Sequence, residues 1–166
     1  MLTIGQTVMY AGSGVCTVTA VEEKDLGIGP RQYYVLTPRV GTHNTYYIPC
    51  GSPAAQKLSP LLSPEAMEAL LQTLPALPVA WNDSDTARHE QFRRVMGGTD
   101  RTELAVMAKS LLVRRELLRQ SGRHLRAADE KFLNESIEVL AAECAAVLER
   151  DSDVCREQLL AAMTTV

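Results

Sequence analysis

The sequence contains few of the residues on which metal binding, catalysis or membrane insertion depend. Its 166 residues include four cysteines, and aromatic residues make up 5% of the chain. The three histidines, His43, His89 and His124, are scattered and the cysteines have no CxxC spacing, so no metal site is predicted. No run of about 18 apolar residues is present, which argues against a membrane span. The first residues lack a signal-peptide pattern, and with unpaired cysteines this predicts a cytoplasmic protein.

Reactive side chains do not converge anywhere in the sequence. The pattern Gly12-Ser13-Gly14 fits neither a nucleophile elbow nor a phosphate loop, and it better suits a tight hairpin. We therefore predict a protein that is not an enzyme, with no catalytic residue, no cofactor and no small-molecule substrate. One enzymatic alternative stays open, in which Cys50 acts as a nucleophile with His43 as its base. A loop cysteine after a proline is more often structural.

The formal net charge of −3 conceals an uneven distribution along the chain. Residues 63–87 hold four acidic and no basic side chains, whereas residues 88–126 hold ten basic and four acidic ones. Residues 127–166 hold three basic and nine acidic side chains. A basic block between acidic blocks concentrates positive potential locally and favours a nucleic-acid partner. On charge alone, the solvated surface of ordinary helices is the favoured interpretation.

The first sixty residues have the composition of short β-strands. Runs rich in β-branched and aromatic residues are bounded by Gly, Pro or Asn, and they occur at 7–10, 15–21, 32–36 and 44–48. This spacing predicts a small, bent antiparallel barrel over residues 1–62, which a strand within Leu58–Leu62 closes. Because adjacent strand residues face opposite ways, we expect one ring of each pair, Tyr33-Tyr34 and Tyr46-Tyr47, in the core and the other outside.

Helical periodicity begins after residue 62. Ser63 is a predicted N-cap with Pro64 at the first helical position, and that helix ends at Leu74-Pro75. Further helices are predicted at about 84–96, from Asp100 to Gly122, at about 127–149, and from residue 151 or 152 to 163. The fold class is therefore α+β, with a β module at 1–62 and a compact all-α domain at 63–166.

Both halves of the chain resemble CarD-type transcription regulators. The first half resembles the opening pattern of that family, and the second half resembles its helical domain in order. The quoted segments are Gly5-Gln6-Thr7-Val8-Met9-Tyr10, Gly14-Val15, Ala20-Val21-Glu22-Glu23, Gln32-Tyr33-Tyr34-Val35-Leu36, Ile48-Pro49, Trp81-Asn82, Gly98-Thr99-Asp100, Leu104-Ala105-Val106, Leu111-Leu112-Val113-Arg114-Arg115 and Leu125–Leu133.

The resemblance implies a function for each half. The first half is similar to a Tudor-like barrel, shared with transcription-repair coupling factor, that binds the bacterial RNA polymerase β subunit. Its implied polymerase-binding residues are Lys24, Arg31, Tyr46 and Tyr47. The second half is similar to a DNA-binding domain whose tryptophan, matched by Trp81, wedges into the upstream edge of melted promoter DNA without reading sequence. Such a protein stabilises the open promoter complex.

Phosphate contacts are expected from the basic side chains around and beyond Trp81. The candidates are Arg88, Arg93, Arg94, Arg114, Arg115, Arg119, Arg123, Arg126 and Lys131. Acidic residues stand where the family more often has basic or aromatic ones, at Asp83, Asp85 and Glu130. These acids favour an alternative, in which the protein is an adaptor that binds RNA polymerase or another factor without direct DNA contact.

Overall fold

An antiparallel sheet forms the first part of the structure, a computed structural model that describes residues 2–11, 13–39 and 44–164. Five strands hydrogen-bond in the order β4-β3-β2-β1-β5. The predicted strands are confirmed, and β2 and β3 extend beyond the prediction into a long hairpin. The strands are β1 (Thr7–Tyr10), β2 (Gly14–Asp25), β3 (Pro30–Pro38), β4 (Tyr46–Pro49) and β5 (Leu58–Pro60).

The sheet is open, and the predicted closure by Leu58–Leu62 is wrong. Among the described residues, β5 pairs with β1 but has no ladder to β4, so β4 and β5 are the two edges. A 3-10 turn, Pro53–Lys57, connects them. The strand stops at Pro60, which has no N–H for a ladder, and the backbone N–H of Leu62 already donates to Glu143 in the helical part.

One face of the sheet holds a small apolar core. Its members are fully or nearly fully buried: Val8, Cys16, Val18, Tyr34, Leu36 and Ile48. Tyr33 and Tyr34 are only 3% and 7% exposed, so the expectation of one inward and one outward ring is wrong for this pair. The ring of Tyr33 shares the opposite face with its cross-strand neighbours Glu22 and Pro49. For the second pair the expectation is confirmed, because Tyr46 packs against the core and Tyr47 is exposed.

Five α-helices follow the sheet, close to their predicted positions. Ser63 Oγ accepts from the N–H of Ala66, and Asp100 Oδ1 accepts from the N–H of Glu103, so both predicted N-caps are confirmed. Within the described part of the chain, none of the helices has the length and apolarity that crossing a membrane requires. The helices are α1 (Pro64–Thr73), α2 (Asp85–Met96), α3 (Arg101–Gln120), α4 (Ala127–Leu148) and α5 (Ser152–Thr164).

A buried ion pair joins the helices to the end of the sheet. Glu143 of α4 is 0% exposed, and its carboxylate accepts from Arg101 Nε and Nη2, each at 2.9 Å. The same carboxylate accepts from the backbone N–H of Leu62 at 3.1 Å. Arg101, at the start of α3, also donates to Ser59 Oγ and to the Pro60 carbonyl, both at 3.0 Å. These bonds tie β5, α3 and α4 together, and we call them the junction.

Candidate nucleic-acid interface and polymerase-facing edge

The segment that carries Trp81 is fixed by side chains of α3. The ammonium of Lys109, which is 5% exposed, donates to the carbonyls of Leu74, Pro75 and Leu77 at 2.8–2.9 Å. These carbonyls belong to the 3-10 turn Leu74–Ala76 that follows α1 and to the residue after that turn. One residue further along α3, Ser110 Oγ accepts from the backbone N–H of Ala80 at 3.1 Å. The chain therefore reaches Trp81 in a defined path rather than as a loose loop.

Trp81 itself is half-buried between α2 and α3. Its ring lies edge-to-face with Phe92, at 6.5 Å between centroids. The guanidinium carbons of Arg88 and Arg114 lie 4.5 Å and 5.2 Å from the centroid of the indole, within the range of cation–π contacts. The indole is thus neither sealed in the core nor free in solvent, and it is flanked by two positive charges.

Arg88 is not on the surface, which corrects its assignment as a phosphate contact. It is 3% exposed and donates through Nε and Nη2 to both carboxylate oxygens of Asp129, at 3.0 and 2.8 Å. It also donates to Asp85 and to the carbonyl of Asn82, both at 2.8 Å. On α2 it lies one turn before Phe92, on the face that packs against α4. Its donors are occupied by the protein, so its role is to hold the residues around Trp81.

Asp85 is neutralised by its neighbours. The Arg88 guanidinium hydrogen-bonds to it and, more than any other group, lowers the pKa of this carboxyl, and Arg126 at the start of α4 also pairs with it. Glu130 likewise pairs with Arg115 at 3.2 Å. Of the three acidic residues that stand where the family more often has basic or aromatic ones, Asp85 and Glu130 are therefore ion-pair partners of arginines in the same chain. Asp83 is exposed, and within the described residues no ion pair joins it to a basic side chain.

The remaining predicted phosphate contacts fall into two groups. Those with a carboxylate within 4 Å are Arg94 with Glu103, Arg115 with Glu130, Arg119 with Glu116, Arg126 with Asp85 and Lys131 with Glu135. Over the described ranges, Arg93, Arg114 and Arg123 have no such partner. Arg114 stands out among them because it lies beside the indole and because its buried Nε has no hydrogen-bond acceptor.

The predicted polymerase-binding residues gather near the β4 edge and the β2–β3 hairpin. Lys24 Nζ lies 4.3 Å from the centroid of the Tyr47 ring and 3.4 Å from a Glu22 carboxylate oxygen. Tyr47, and to a lesser degree Glu22, raise the pKa of Lys24. Arg31 is directly opposite Lys24 in the ladder and is exposed. The three side chains form one mixed cationic and aromatic surface.

Tyr46 is separate from that surface. It is half-buried and packs edge-to-face on Tyr10, with 5.3 Å between ring centroids. Its ring supports the sheet core, and only its backbone belongs to the exposed edge. The N–H and C=O groups on the outer side of β4 face no neighbouring strand among the described residues. Such an edge is able to accept a strand from another protein.

Three of the four cysteines, Cys16, Cys144 and Cys155, are buried, and Cys50 is half-buried. Burial raises the pKa of Cys16 to about 11 and that of Cys144 to about 12, which opposes thiolate formation. His43, the imagined base for Cys50, lies outside the described residues. Across those residues no group of three or more His, Cys, Asp or Glu side chains is placed to hold a metal ion.

Several residues of the site were not predicted from the sequence. Asp129, Lys109 and Ser110 position the indole through contacts that span about 30 to 41 residues, and Arg101 with Glu143 forms the junction. One signal was available for Lys109, a charged residue inside the apolar run from Leu104 to Leu112. A lysine in such a position needs internal acceptors, and the end of α1 supplies them.

The comparison with known families covers the sheet and the chain up to α1. Residues 2–62 match the family described as the CarD-like/TRCF RID domain. No curated protein was found to match the chain. The matched segment ends one residue before the N-cap of α1, so it contains the whole sheet, the exposed β4 edge and the Lys24–Tyr47 surface. Residues 2–62 therefore form a domain of the CarD-like/TRCF RID family, of the type shared with transcription-repair coupling factor, and this domain indicates an RNA polymerase-interacting role.

Proposed function

We propose that this protein is a non-catalytic transcription regulator that binds the RNA polymerase β subunit and stabilises the open promoter complex. In this proposal the sheet is a Tudor-like module that contacts the polymerase, and Trp81 contacts the upstream edge of the melted DNA. The observation that carries it is the position of Trp81, half-buried and held by α3 beside two guanidinium groups. It is joined in one chain to a domain of polymerase-interacting type.

The surroundings of Trp81 are compatible with a wedge. The residue packs against the helical core through Phe92, which is 6% exposed, and it keeps an accessible part. An aromatic ring that is supported by packed side chains can occupy the gap left by an unstacked base step. Filling that gap stabilises the melted state relative to the duplex, and so it shifts the equilibrium toward open DNA.

Arg114 is the best candidate for the phosphate contact in this arrangement. Its guanidinium lies beside the indole and has no carboxylate partner in the described part of the chain. Arg93 and Arg123 share that property but lie on the surface of α2 and in the connection after α3. Arginine offers several donors in a planar fork, which suits phosphate oxygens. One aromatic wedge and a few free arginines give contacts that do not depend on sequence.

The polymerase contact is proposed at the β4 edge. There the open backbone can pair with a strand of the β subunit, while Lys24, Arg31 and Tyr47 contribute side-chain contacts on the adjoining surface. Tyr47 is 40% exposed and combines an apolar ring with a hydroxyl, a composition enriched at protein interfaces.

Substitution of Trp81 tests the wedge. Base–aromatic stacking contributes about 1–3 kcal/mol, so Trp81→Ala is expected to shorten the lifetime of the open complex about 5- to 150-fold while polymerase binding persists. The measurement is the half-life of heparin-challenged open complexes, with co-sedimentation of polymerase beside it. Leu117→Ala removes an apolar side chain that is 52% exposed elsewhere on α3, and it serves as the matched control. Equal half-lives for the wild type and Trp81→Ala refute the wedge.

A second candidate function is an adaptor that binds polymerase without touching DNA. It is favoured by the number of predicted phosphate contacts that are already paired with carboxylates, which are Arg88, Arg94, Arg115, Arg119, Arg126 and Lys131. Salt dependence separates the two functions, since each contact to duplex phosphate adds a slope of about −0.9 in a plot of log stabilisation against log salt. Three free arginines predict a slope near −3, and an adaptor predicts a slope near zero. If the protein contacts DNA, Arg114→Gln is expected to make the slope less negative by about one. If the protein is an adaptor, the same substitution leaves the slope unchanged.

A further inference from the structure

A groove of about 650 Å³ lies beside Trp81, between α2 and α3. Its floor consists of apolar core side chains that are almost fully buried, among them Phe92, Val95 and Met107, at 4–7% exposure. Val106 forms part of the α3 wall. The volume lies within the range of about 300–1,000 Å³ that is typical of sites for small organic groups. Because the floor of the groove is part of the core, it is already formed before a ligand binds.

The polar groups of the groove have a particular chemistry. Asp83 and Glu103 supply carboxylates, Asn82 and Gln91 supply amides, and Thr102 and Ser110 supply hydroxyls. Arg88 also lines the groove, but its guanidinium already donates to Asp129, to Asp85 and to the Asn82 carbonyl. Glu103 is half exposed, and its only ion pair in the described chain is a loose one with Arg94, at 3.9 Å. Carboxylates at a rim repel phosphate and attract hydrogen-bond donors. The groove therefore suits a mainly apolar group that carries N–H donors, and its exposed carboxylates do not suit the phosphate backbone.

We propose that this groove receives one unpaired base with an exocyclic amino group, taken from the melted DNA at the upstream edge that Trp81 contacts. This rests on the proposed function, which brings the groove next to freshly melted DNA. Extruded bases are bound by stacking against apolar and aromatic side chains and by hydrogen bonds to their exposed edges. Adenine, cytosine and guanine each carry an exocyclic amino donor, and thymine carries none. Glu103 accepts that donor. The edge donor of an unpaired thymine is its ring N3–H, which lies between two carbonyl oxygens that a carboxylate repels, so thymine and an abasic position are bound less well.

The test uses the full-length protein, complete polymerase and promoters whose upstream-edge unpaired position is adenine, cytosine, thymine or abasic, each strand varied separately. One hydrogen bond to a charged acceptor corresponds to about a tenfold change in lifetime, so the wild type is expected to prolong complexes with adenine or cytosine about tenfold more than the others. Val106→Phe fills the groove and is expected to abolish that difference without altering the lifetime on the abasic template. Val154→Phe, the same substitution at an exposed position on α5, is the control.

A second variant covers the case in which the enlarged side chain disturbs folding. Glu103 is exposed at the first turn of α3, and Glu103→Gln preserves its size while removing the charged acceptor. It is expected to reduce the preference for adenine and cytosine over thymine severalfold. A wild type that does not distinguish adenine from the abasic template, or a Glu103→Gln variant that retains the full preference, overturns the base site. If Trp81→Ala still shortens all lifetimes in that case, the proposed function stands. If the wild type prolongs no complex at all, both fall together.

Discussion

Removal of the Glu143 carboxylate is expected to weaken the fold at the junction. Glu143→Ala leaves the Arg101 guanidinium, whose side chain is 11% exposed, without its counter-charge. It also leaves the backbone N–H of Leu62 without its acceptor. Breaking a buried ion pair by deletion of one partner costs about 3–5 kcal/mol. Because Arg101 keeps its bonds to Ser59 and to the Pro60 carbonyl, we expect the lower end of that range, about 3 kcal/mol.

The aromatic residues provide separate signals for the two parts of the chain. The only tryptophan lies among the helices, and all five tyrosines precede residue 48, so indole fluorescence and tyrosine near-ultraviolet dichroism report on different cores. In urea, a slope of about 1–3 kcal/mol per molar converts the expected loss into a midpoint lowered by about 1–3 M. Coincident transitions are expected for the wild type. For Glu143→Ala the tyrosine transition is expected to come first, because the sheet has the smaller core.

Two control variants make this prediction specific. Glu135→Ala removes an exposed carboxylate of α4 that pairs with Lys131, and it is expected to cost less than 1 kcal/mol. The double variant Arg101→Leu/Glu143→Leu removes both charges, and it is expected to be more stable than Glu143→Ala alone. A shift below 1 kcal/mol for Glu143→Ala, with both transitions still coincident, contradicts the role given to the junction.

Three further outcomes are expected. Lys109→Met keeps the approximate length of the side chain but removes the ammonium that donates to three carbonyls after α1, although the Leu74 carbonyl keeps its bond from the Leu77 N–H. A stability loss of about 2–3 kcal/mol with a red shift of Trp81 emission is expected, and unchanged emission contradicts the anchoring role. Cys144, whose thiol pKa burial raises to about 12, is expected to react with a thiol reagent at pH 8 only on unfolding, with half-buried Cys50 reacting first by mass spectrometry. The pKa of Asp85 is lowered in the folded state, so its stabilisation is present above its unfolded pKa, about 3.9, and is lost as pH falls toward the lower folded value. Asp85→Asn is expected to flatten the acid limb of the stability curve, and superimposable acid limbs contradict that.

The helix boundaries could be predicted because their signals are local. Ser63 with Pro64, Asp100, and Gly97-Gly98 define helix ends within a few residues of sequence, and the structure places helix ends beside all three. The strands were found in the same way from runs of β-branched and aromatic residues. Closure of the sheet has no local signal, since it depends on where the chain goes after Pro60, and that part of the prediction failed.

The burial of Arg88 was missed for a related reason. An arginine among polar residues at the start of a helix has the composition of a surface, and its partner Asp129 lies 41 residues away. The pairing is visible only when α2 and α4 are seen side by side. The same holds for Asp85, which from composition is an acidic departure near Trp81 and in the structure is a partner of Arg88 and Arg126. Charge counted along a sequence therefore overstated both the free positive and the free negative charge of this surface.

A single helix connects the junction to the candidate wedge. Over its 20 residues, α3 contributes Arg101 to the junction, Lys109 and Ser110 to the segment before Trp81, and Arg114 to the surroundings of the indole. From Arg101 to Arg114 the rise is about 20 Å at 1.5 Å per residue. Under the proposed function, a polymerase bound to the sheet holds Trp81 at a fixed distance and raises its effective concentration at the DNA fork. Trp81 is then already held in its position by the fold, so no ordering cost remains at the DNA. A small number of arginines without a carboxylate partner is therefore sufficient for the DNA contact. In that proposal the polymerase contact provides the affinity, and α3 fixes the position of Trp81 relative to that contact.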